Sequence, residues 1–359
     1  MKKILAFLTV VIMMFSLVAC GEAKSTEEEP VEYEIALVAG MGSIRDGGFN
    51  QAAWEGITQF ANENGKSYKY YRPDDGSQAS YVRAIDAAVR DGGKIIVAAG
   101  SDFSGAIYTA QKEYSASNFI LIDSIPKEDG GGTGKVEKNT VAITFAEEES
   151  GYLAGYAAVK DGYKKLGFIG GVPMPSVIRY GHGFLQGANA AAEELGVSGV
   201  SVRYAYMGSF DATPQAEKRA QGWYKSGTQV IFAGGGQMVN SIMNAAEQKD
   251  KKVIGIDTDQ SEMSETVITS ATKDIKKSVD QQLDNYYNDE FPSGTAVHLD
   301  VANQGISLPM ESSKFKTFTE KDYETILEKI KMGEVKINKN HKTKISQLDL
   351  PNITVKEAK

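Results

Sequence analysis

Short apolar runs alternate with helix-period patterns along most of this chain. Ile35–Ala39, Tyr68–Tyr71, Ile95–Ala99 and Phe119–Ile122 read as four strands. Between them, Asn50–Asn64 places Trp54, Ile57 and Ala61 on one helical face, and Tyr81–Arg90 does the same with Val82, Ile85 and Val89. Alternation at this spacing predicts βαβ units and a parallel sheet. Asp129-Gly130-Gly131-Gly132-Thr133-Gly134 interrupts it as a loop by composition. The pattern then resumes with strands over Val141–Phe145, Leu166–Ile169, Val200–Tyr206, Val230–Ala233, Val253–Ile256 and Val267–Ser270. A small-residue helix covers Glu147–Val159 and an amphipathic one Ile275–Tyr287. A last helix, near Lys321–Met332, precedes a tail rich in Lys and Asn, which reads as a solvated end rather than a binding patch. Two successive runs of roughly four βα units predict two doubly wound lobes, with a ligand cleft beyond the carboxyl ends of their strands. Eight units also match the count of a barrel; against it stand the Gly-rich break and the polar residues after strands in both halves.

The amino terminus follows a different pattern. Lys2 and Lys3 lead an almost unbroken apolar stretch, Ile4 to Val18, that ends in Leu17-Val18-Ala19-Cys20. A basic start, a short apolar run and small residues before a cleavage point make a secretory signal. The stretch falls short of the about 20 apolar residues of a spanning helix. Leu-x-Ala-Cys resembles the bacterial lipobox, so residues 1–19 are expected to be removed and Cys20 to carry lipid. The mature chain would sit at the outer face of the cell membrane, with the acidic segment 20–32 as a tether.

Composition narrows the partners. Apolar residues make up 42% of the chain, enough for sizeable cores. The net charge is −8 with no basic block in the body of the chain, which argues against a nucleic-acid partner. Cys20 is the only cysteine, so stability must come from packing, and His182, His298 and His341 have no metal-ligand spacing.

Candidate chemistry sits after the strands. Beyond Ile35–Ala39, glycines free the backbone, Asp46 to Asn50 can cap the next helix, and Phe49 presents a π-face. An N-cap role alone would also account for Asn50. Asp123 and Asp257 each end a strand, one in each half. Facing a common cleft, ionised carboxylates would accept hydrogen bonds from vicinal hydroxyls such as those of a sugar. Lys273 follows another strand and would hold two such charges ionised, unless it is a solvated helix end. Tyr180 and Phe210 are candidate cleft walls, with core packing as the alternative. The Gly-rich runs, including Gly234-Gly235-Gly236, match neither G-x-G-x-x-G nor G-x-x-x-x-G-K-[ST], so no nucleotide cofactor is expected and close backbone approach is the plainer use. No G-x-S-x-G or H-E-x-x-H occurs, and no catalytic residue is assigned.

Six motifs in register carry a resemblance. Asp46-Gly47-Gly48-Phe49-Asn50 through Gly56 is similar to the D-x-[SG]-F-N-x-x-x-x-x-G opening of the basic membrane protein lipoproteins. Glu149-Ser150-Gly151-Tyr152-Leu153-Ala154-Gly155 resembles the family's E-x-G-Y-L-A-G helix, and Gly167–Gly171 and Gly183–Ala188 follow in order. Ile254–Gln260 resembles its G-V-D-x-D-Q strand end and Thr269–Lys273 its T-S-x-x-K. The likeness runs from about Glu34 to Val335.

The resemblance implies an α/β, type I periplasmic-binding-protein fold: two doubly wound lobes joined by a multi-strand hinge. The lobes would comprise residues 33–140 with about 272–300, and 141–271 with about 301–359. It implies the substrate-binding lipoprotein of an ABC importer, not an enzyme, taking purine nucleosides such as guanosine, inosine or adenosine and meeting a permease, with a monomer as the default. Asp46 and Asn50 would read the base edge beside Phe49, and Tyr180 or Phe210 would oppose it, with Gly236 lining the pocket. Asp123 and Asp257 would accept from the ribose hydroxyls, and Lys273 would donate to the sugar. Gly47-Gly48 stands where the family more often has Lys-Ser, and Tyr180 where it has Phe. Both departures bear on the choice of base more than on the sugar. A sugar, a flavin or a signalling molecule on the same scaffold stays open. A nucleoside hydrolase would want an N-terminal D-x-D-x-x-x-D-D run, which is absent.

Overall fold

The computed structural model describes residues 32–129 and 132–358. Cys20, the signal segment and all of the tether but Glu32 lie outside the described residues, as do Gly130 and Gly131 of the mid-chain loop. The first half runs β1 (Ile35–Ala39), α1 (Phe49–Asn64), β2 (Tyr68–Tyr71), α2 (Gln78–Arg90), β3 (Ile95–Ala99), α3 (Ser104–Glu113), β4 (Asn118–Ile122) and β5 (Thr140–Phe145). The second begins α4 (Glu147–Lys160), β6 (Lys165–Gly170), α5 (Pro175–Glu194), β7 (Val200–Tyr206), α6 (Pro214–Lys225), β8 (Val230–Gly234), α7 (Met238–Lys249), β9 (Lys252–Asp257) and β10 (Val267–Lys273). Then come α8 (Ile275–Tyr287), β11 (Thr295–Leu299), β12 (Ile306–Ser307), α9 (Glu320–Lys331) and β13 (Ile353–Glu357).

The strands form two sheets, ordered β11-β5-β4-β3-β1-β2 and β12-β10-β9-β8-β6-β7-β13. All pairings are parallel except β10 with β12. A central parallel strand is buried on both faces, which is why β1, β3, β4 and β8 are near-continuous apolar runs. Alternate residues of one strand feed opposite cores. Ala36, Val38, Ile96 and Ala98 pack with Tyr81, Ile85 and Ile107 of α2 and α3. Ile35, Leu37, Ile95 and Val97 face the other way, among Ile57 and Phe60 of α1 and Val279 and Leu283 of α8. The second sheet repeats the scheme: Ile169, Ile231 and Val253 meet α6 and α7, and Phe168, Phe232 and Ile254 share a core with α4 and α5.

The chain crosses between the sheets three times: from β5 into α4, from β10 through α8 into β11, and from β11 to β12. This is the arrangement of a type I periplasmic-binding protein. A lobe boundary after residue 140 falls one strand too early. β5 pairs with β4 in the first sheet, Phe119 opposite Thr140, and the crossing comes at Ala146. The basic tail is not wholly a solvated end either, because it closes with β13 laid parallel on β7.

The small residues of α4 and α5 have a definite use. A side-chain carbon on Gly151 or Gly155 would run into the backbone of Tyr180 or Phe184. One on Gly183 or Gly187 would meet the backbone of Glu148 or Tyr152. The two helices therefore touch main chain to main chain, and this seats the first turn of α4 against Arg179 of α5.

Candidate functional site

The carboxyl ends of β1, β3, β4, β8, β9 and β10 converge on one cavity of about 890 Å³, part of it open to solvent. Asp46, Phe49, Asn50, Asp123, Tyr180, Phe210, Gly236, Asp257 and Lys273 all line it. It opens into an outer cavity of about 1,310 Å³ to which Arg72, Gln78, Tyr81 and Ser209 contribute.

At its floor lies a cluster of ions. Lys273, the last residue of β10 and only 4% exposed, is not a solvated helix end. Its Nζ donates to both oxygens of Asp123, at 2.9 and 2.7 Å, and lies 3.2 Å from Glu147 Oε1 and 3.8 Å from Asp257 Oδ1. Behind it, Arg179 Nε donates to Glu147 Oε2 at 2.6 Å. Asp123 follows β4 of the first sheet and Lys273 ends β10 of the second, so their ion pair bridges the lobes.

Asp123 and Asp257 occupy equivalent places, Asp123 just past and Asp257 at the end of the third strand from the hinge edge of its sheet, counting β11 and β12 as the first. Both take left-handed backbone, with φ of 69° and 66°. Asp tolerates this region better than most side chains, yet the conformation is costly and gathers at binding sites. Asp257 Oδ1 accepts from the Tyr180 hydroxyl at 3.4 Å. Among the described residues no hydrogen bond reaches Asp257 Oδ2, which leaves an acceptor open to the cavity.

Burial governs the protonation of this cluster. It pushes Asp257 up to about 7, against the pull of Lys273 and with further push from Asp123, Asp46 and Glu147. It raises Asp123 as well, opposed by Lys273. For Glu147 burial acts the same way, but Lys273 and Arg179 outweigh it and hold the carboxyl below the usual range. Burial would lower Lys273, but its carboxylate neighbours, Asp123 foremost, hold the ammonium above its ordinary range. Glu148, buried beside them, is raised to about 7.

The opposite wall is set by α1. The N-cap position belongs to Gly48, so Asn50 is not the cap. Asp46 does that work: its Oδ1 accepts from the backbone N–H of Gly48 and Gln51, and its Oδ2 from Asn50 N–H and Asn50 Nδ2. Asn50 Oδ1 accepts from Gly40 N–H at 3.2 Å. The carboxamide is thereby fixed: its oxygen is turned to β1, one amide hydrogen is used by Asp46, and one donor is left. Phe49 follows the cap and reaches the same cavity.

Tyr180 is 1% exposed, packs edge-on against Phe232, and donates to Ala271 O at 3.3 Å as well as to Asp257. Its hydroxyl is satisfied within the wall. Phe210 is half-buried, and the absence of side chains at Gly171 and Gly236 makes room for it. Gly236 thus lines the cavity and seats an aromatic ring.

Sequence reasoning missed Glu147 and Arg179 as parts of the site, together with the mouth residues Asp102, Asp211 and Gln237. Three glutamates at a helix start read as ordinary partners of the helix dipole. The signal available was their company, since α4 is otherwise apolar or glycine apart from Ser150 and its last residue, Lys160.

Comparisons with known proteins bear on the family and the fold. The family model described as "ABC transporter substrate-binding protein PnrA-like" matches residues 34–341. An ABC transporter nucleoside-binding protein, BmpA, of Lactococcus lactis subsp. cremoris (strain MG1363) is 29% identical over 305 residues, 79% of this chain and 83% of that one. A CD4+ T-cell-stimulating antigen of Listeria innocua is 26% identical over 348 residues, 89% and 93% of the two chains. Among solved structures, the solute-binding protein of an ABC transporter system from Aeropyrum pernix K1 superposes with a TM-score of 0.73 at 22% identity, over 84% of this chain and 92% of that one.

Proposed function

The chain belongs to the PnrA-like, basic membrane protein family of ABC transporter substrate-binding proteins, and from that premise we propose that it captures purine nucleosides between its lobes. The observation that carries the reading is the pair of buried carboxylates, Asp123 and Asp257, on equivalent strand ends of one cavity that Phe49 and Phe210 also line. The name of the Lactococcus lactis relative, a nucleoside-binding protein, points the same way.

In this reading Asp257 accepts from a ribose hydroxyl through its open oxygen, and Asp123, oriented by Lys273, accepts from the neighbouring one. Lys273 acts mainly by holding these carboxylates, because two of its donors go to Asp123 and its charge is also paired with Glu147. Asn50 donates its remaining amide hydrogen to an acceptor on the base, and Asp46 fixes Asn50 rather than touching the base itself. Phe49 and Phe210 supply aromatic faces with Tyr180 behind; base–aromatic stacking contributes about 1–3 kcal/mol per base. Cys20 anchors the protein by lipid on the extracytoplasmic face, and the loaded, closed form is delivered to a permease. The protein holds its ligand without transforming it.

Mass spectrometry of small molecules released by denaturing the purified protein tests this. The expected finding is an intact purine nucleoside. A sugar or flavin would contradict the ligand, and free base with ribose would contradict the absence of catalysis.

A further inference from the structure

We propose that Gly47 of the first lobe, with Thr258, Gln260 and Met263 of the second, forms a latch that holds the cleft shut and sets how slowly the ligand leaves. The proposal goes beyond the nucleoside reading, because it depends only on closure of the lobes and assigns retention, not recognition. None of the four residues lines the inner or the outer cavity. Their chain neighbours do: Asp46 precedes Gly47, and Asp257 precedes Thr258. Each half of the latch is thus one peptide bond from a side chain at the cavity wall.

The contacts converge on one backbone group. Gly47 O accepts from Thr258 Oγ1 and from Gln260 Nε2, each at 2.9 Å, which uses both its lone pairs. Gln260 is 1% exposed and held in one orientation: its Oε1 accepts from Ile256 N–H at 3.1 Å, and its own backbone N–H donates to Ser270 Oγ at 3.0 Å. Its amide nitrogen is thereby turned towards the first lobe. On the other side, Gln51 Oε1 accepts from Gly47 N–H at 3.0 Å, and the Asp46 carboxylate ties the adjoining turn to α1. Gly47 takes left-handed backbone, φ 66°, which glycine adopts at no steric cost. A side-chain carbon there would come within 2.7 Å of Met263 Cε and 2.8 Å of its Sδ. Met263 therefore packs on the bare side of the glycine from the opposite lobe. Groups already oriented on both sides lose little freedom when the lobes meet. These contacts exist only while the lobes are together, so they slow opening and leave entry into the open cleft unaffected.

The test follows association and dissociation of tritiated adenosine and guanosine on the full folded chain. Thr258→Val keeps the shape and removes the donor. It should raise the dissociation rate about fivefold, the effect of one net hydrogen bond, with the association rate nearly unchanged. Thr258→Ser keeps the hydroxyl and should release at nearly the wild-type rate. Met263→Ala, which bares Gly47, should also release faster. An unchanged dissociation rate in Thr258→Val would overturn the proposal, as would a loss confined to association or a Thr258→Ser that releases as fast as Thr258→Val. Opening is also read without ligand. In small-angle X-ray scattering a Thr258→Val, Met263→Ala double variant should show a larger radius of gyration than wild type, and equal radii would overturn the latch. Failure of both nucleosides to bind wild type would end the nucleoside reading and leave the latch to be decided by the radii.

Discussion

Asp257 is the residue on which the chemistry of the cleft turns, because it combines an acceptor open to the cavity with a carboxyl raised to about 7. A carboxyl raised above its unfolded value of 3.8 favours the folded state most at low pH, and that contribution is lost as pH climbs through about 7. In the ligand-free protein, wild type should therefore lose stability relative to Asp257→Asn between about pH 4 and pH 7. The full shift corresponds to roughly 4 kcal/mol. Urea unfolding of both proteins at pH 4.5 and pH 8 measures it; a difference that stays flat with pH would contradict the burial argument. Since the ionised carboxylate is the stronger acceptor for a hydroxyl, ligand affinity should rise with pH over the same window. Asp257 and Lys273 were legible in the sequence because each sits in a short motif at a strand end. The roles within Asp46 and Asn50 were not. Only the hydrogen bonds from Gly48, Gln51 and Gly40 show that one residue caps a helix and the other is held in a single orientation.

Among the elements, the α4–α5 pair is the one that depends most on specific residues. Its two backbones meet at Gly151, Gly155, Gly183 and Gly187, where no side chain fits. Gly187→Ala should cost about 1–3 kcal/mol, as overpacking of a close-packed interior does. Gly222 in α6 is the contrast, because a side-chain carbon there meets open space. Gly222→Ala should stabilise by up to about 1 kcal/mol through helix propensity. Chemical unfolding of both variants decides it; equal stabilities would show that the helices can move apart at no cost. The elements themselves were legible wherever burial on both faces leaves an apolar run, as in β1, β3 and β8. β11 was not, because Thr295–Leu299 lies at a sheet edge with exposed residues and carries no such run. β13 was hidden for a similar reason: its alternating ITVKE sits inside a lysine-rich tail and pairs through one edge only.

At the scale of the molecule, two sheets of matching strand order face each other across a cleft, joined by three crossings at one edge. Contacts away from the crossings also join the lobes. Gly47 O in the first lobe accepts from Thr258 Oγ1 and Gln260 Nε2 in the second, each at 2.9 Å. Together with the Lys273–Asp123 pair, these bonds make the structure a closed form. Two lobes could be read from two runs of βα units, but the membership of β5 could not. Nothing in Val141–Phe145 as a sequence says which sheet it joins; the pairing with β4 decides it. The central claim is that this closed cleft holds a purine nucleoside through both its base and its ribose. Isothermal titration with guanosine, inosine, adenosine, cytidine and free ribose tests that most directly. The account predicts that at least one purine nucleoside binds about a hundredfold or more tighter than ribose, a difference of about 2.7 kcal/mol, which aromatic stacking can supply. Ribose binding as tightly as every nucleoside would contradict it.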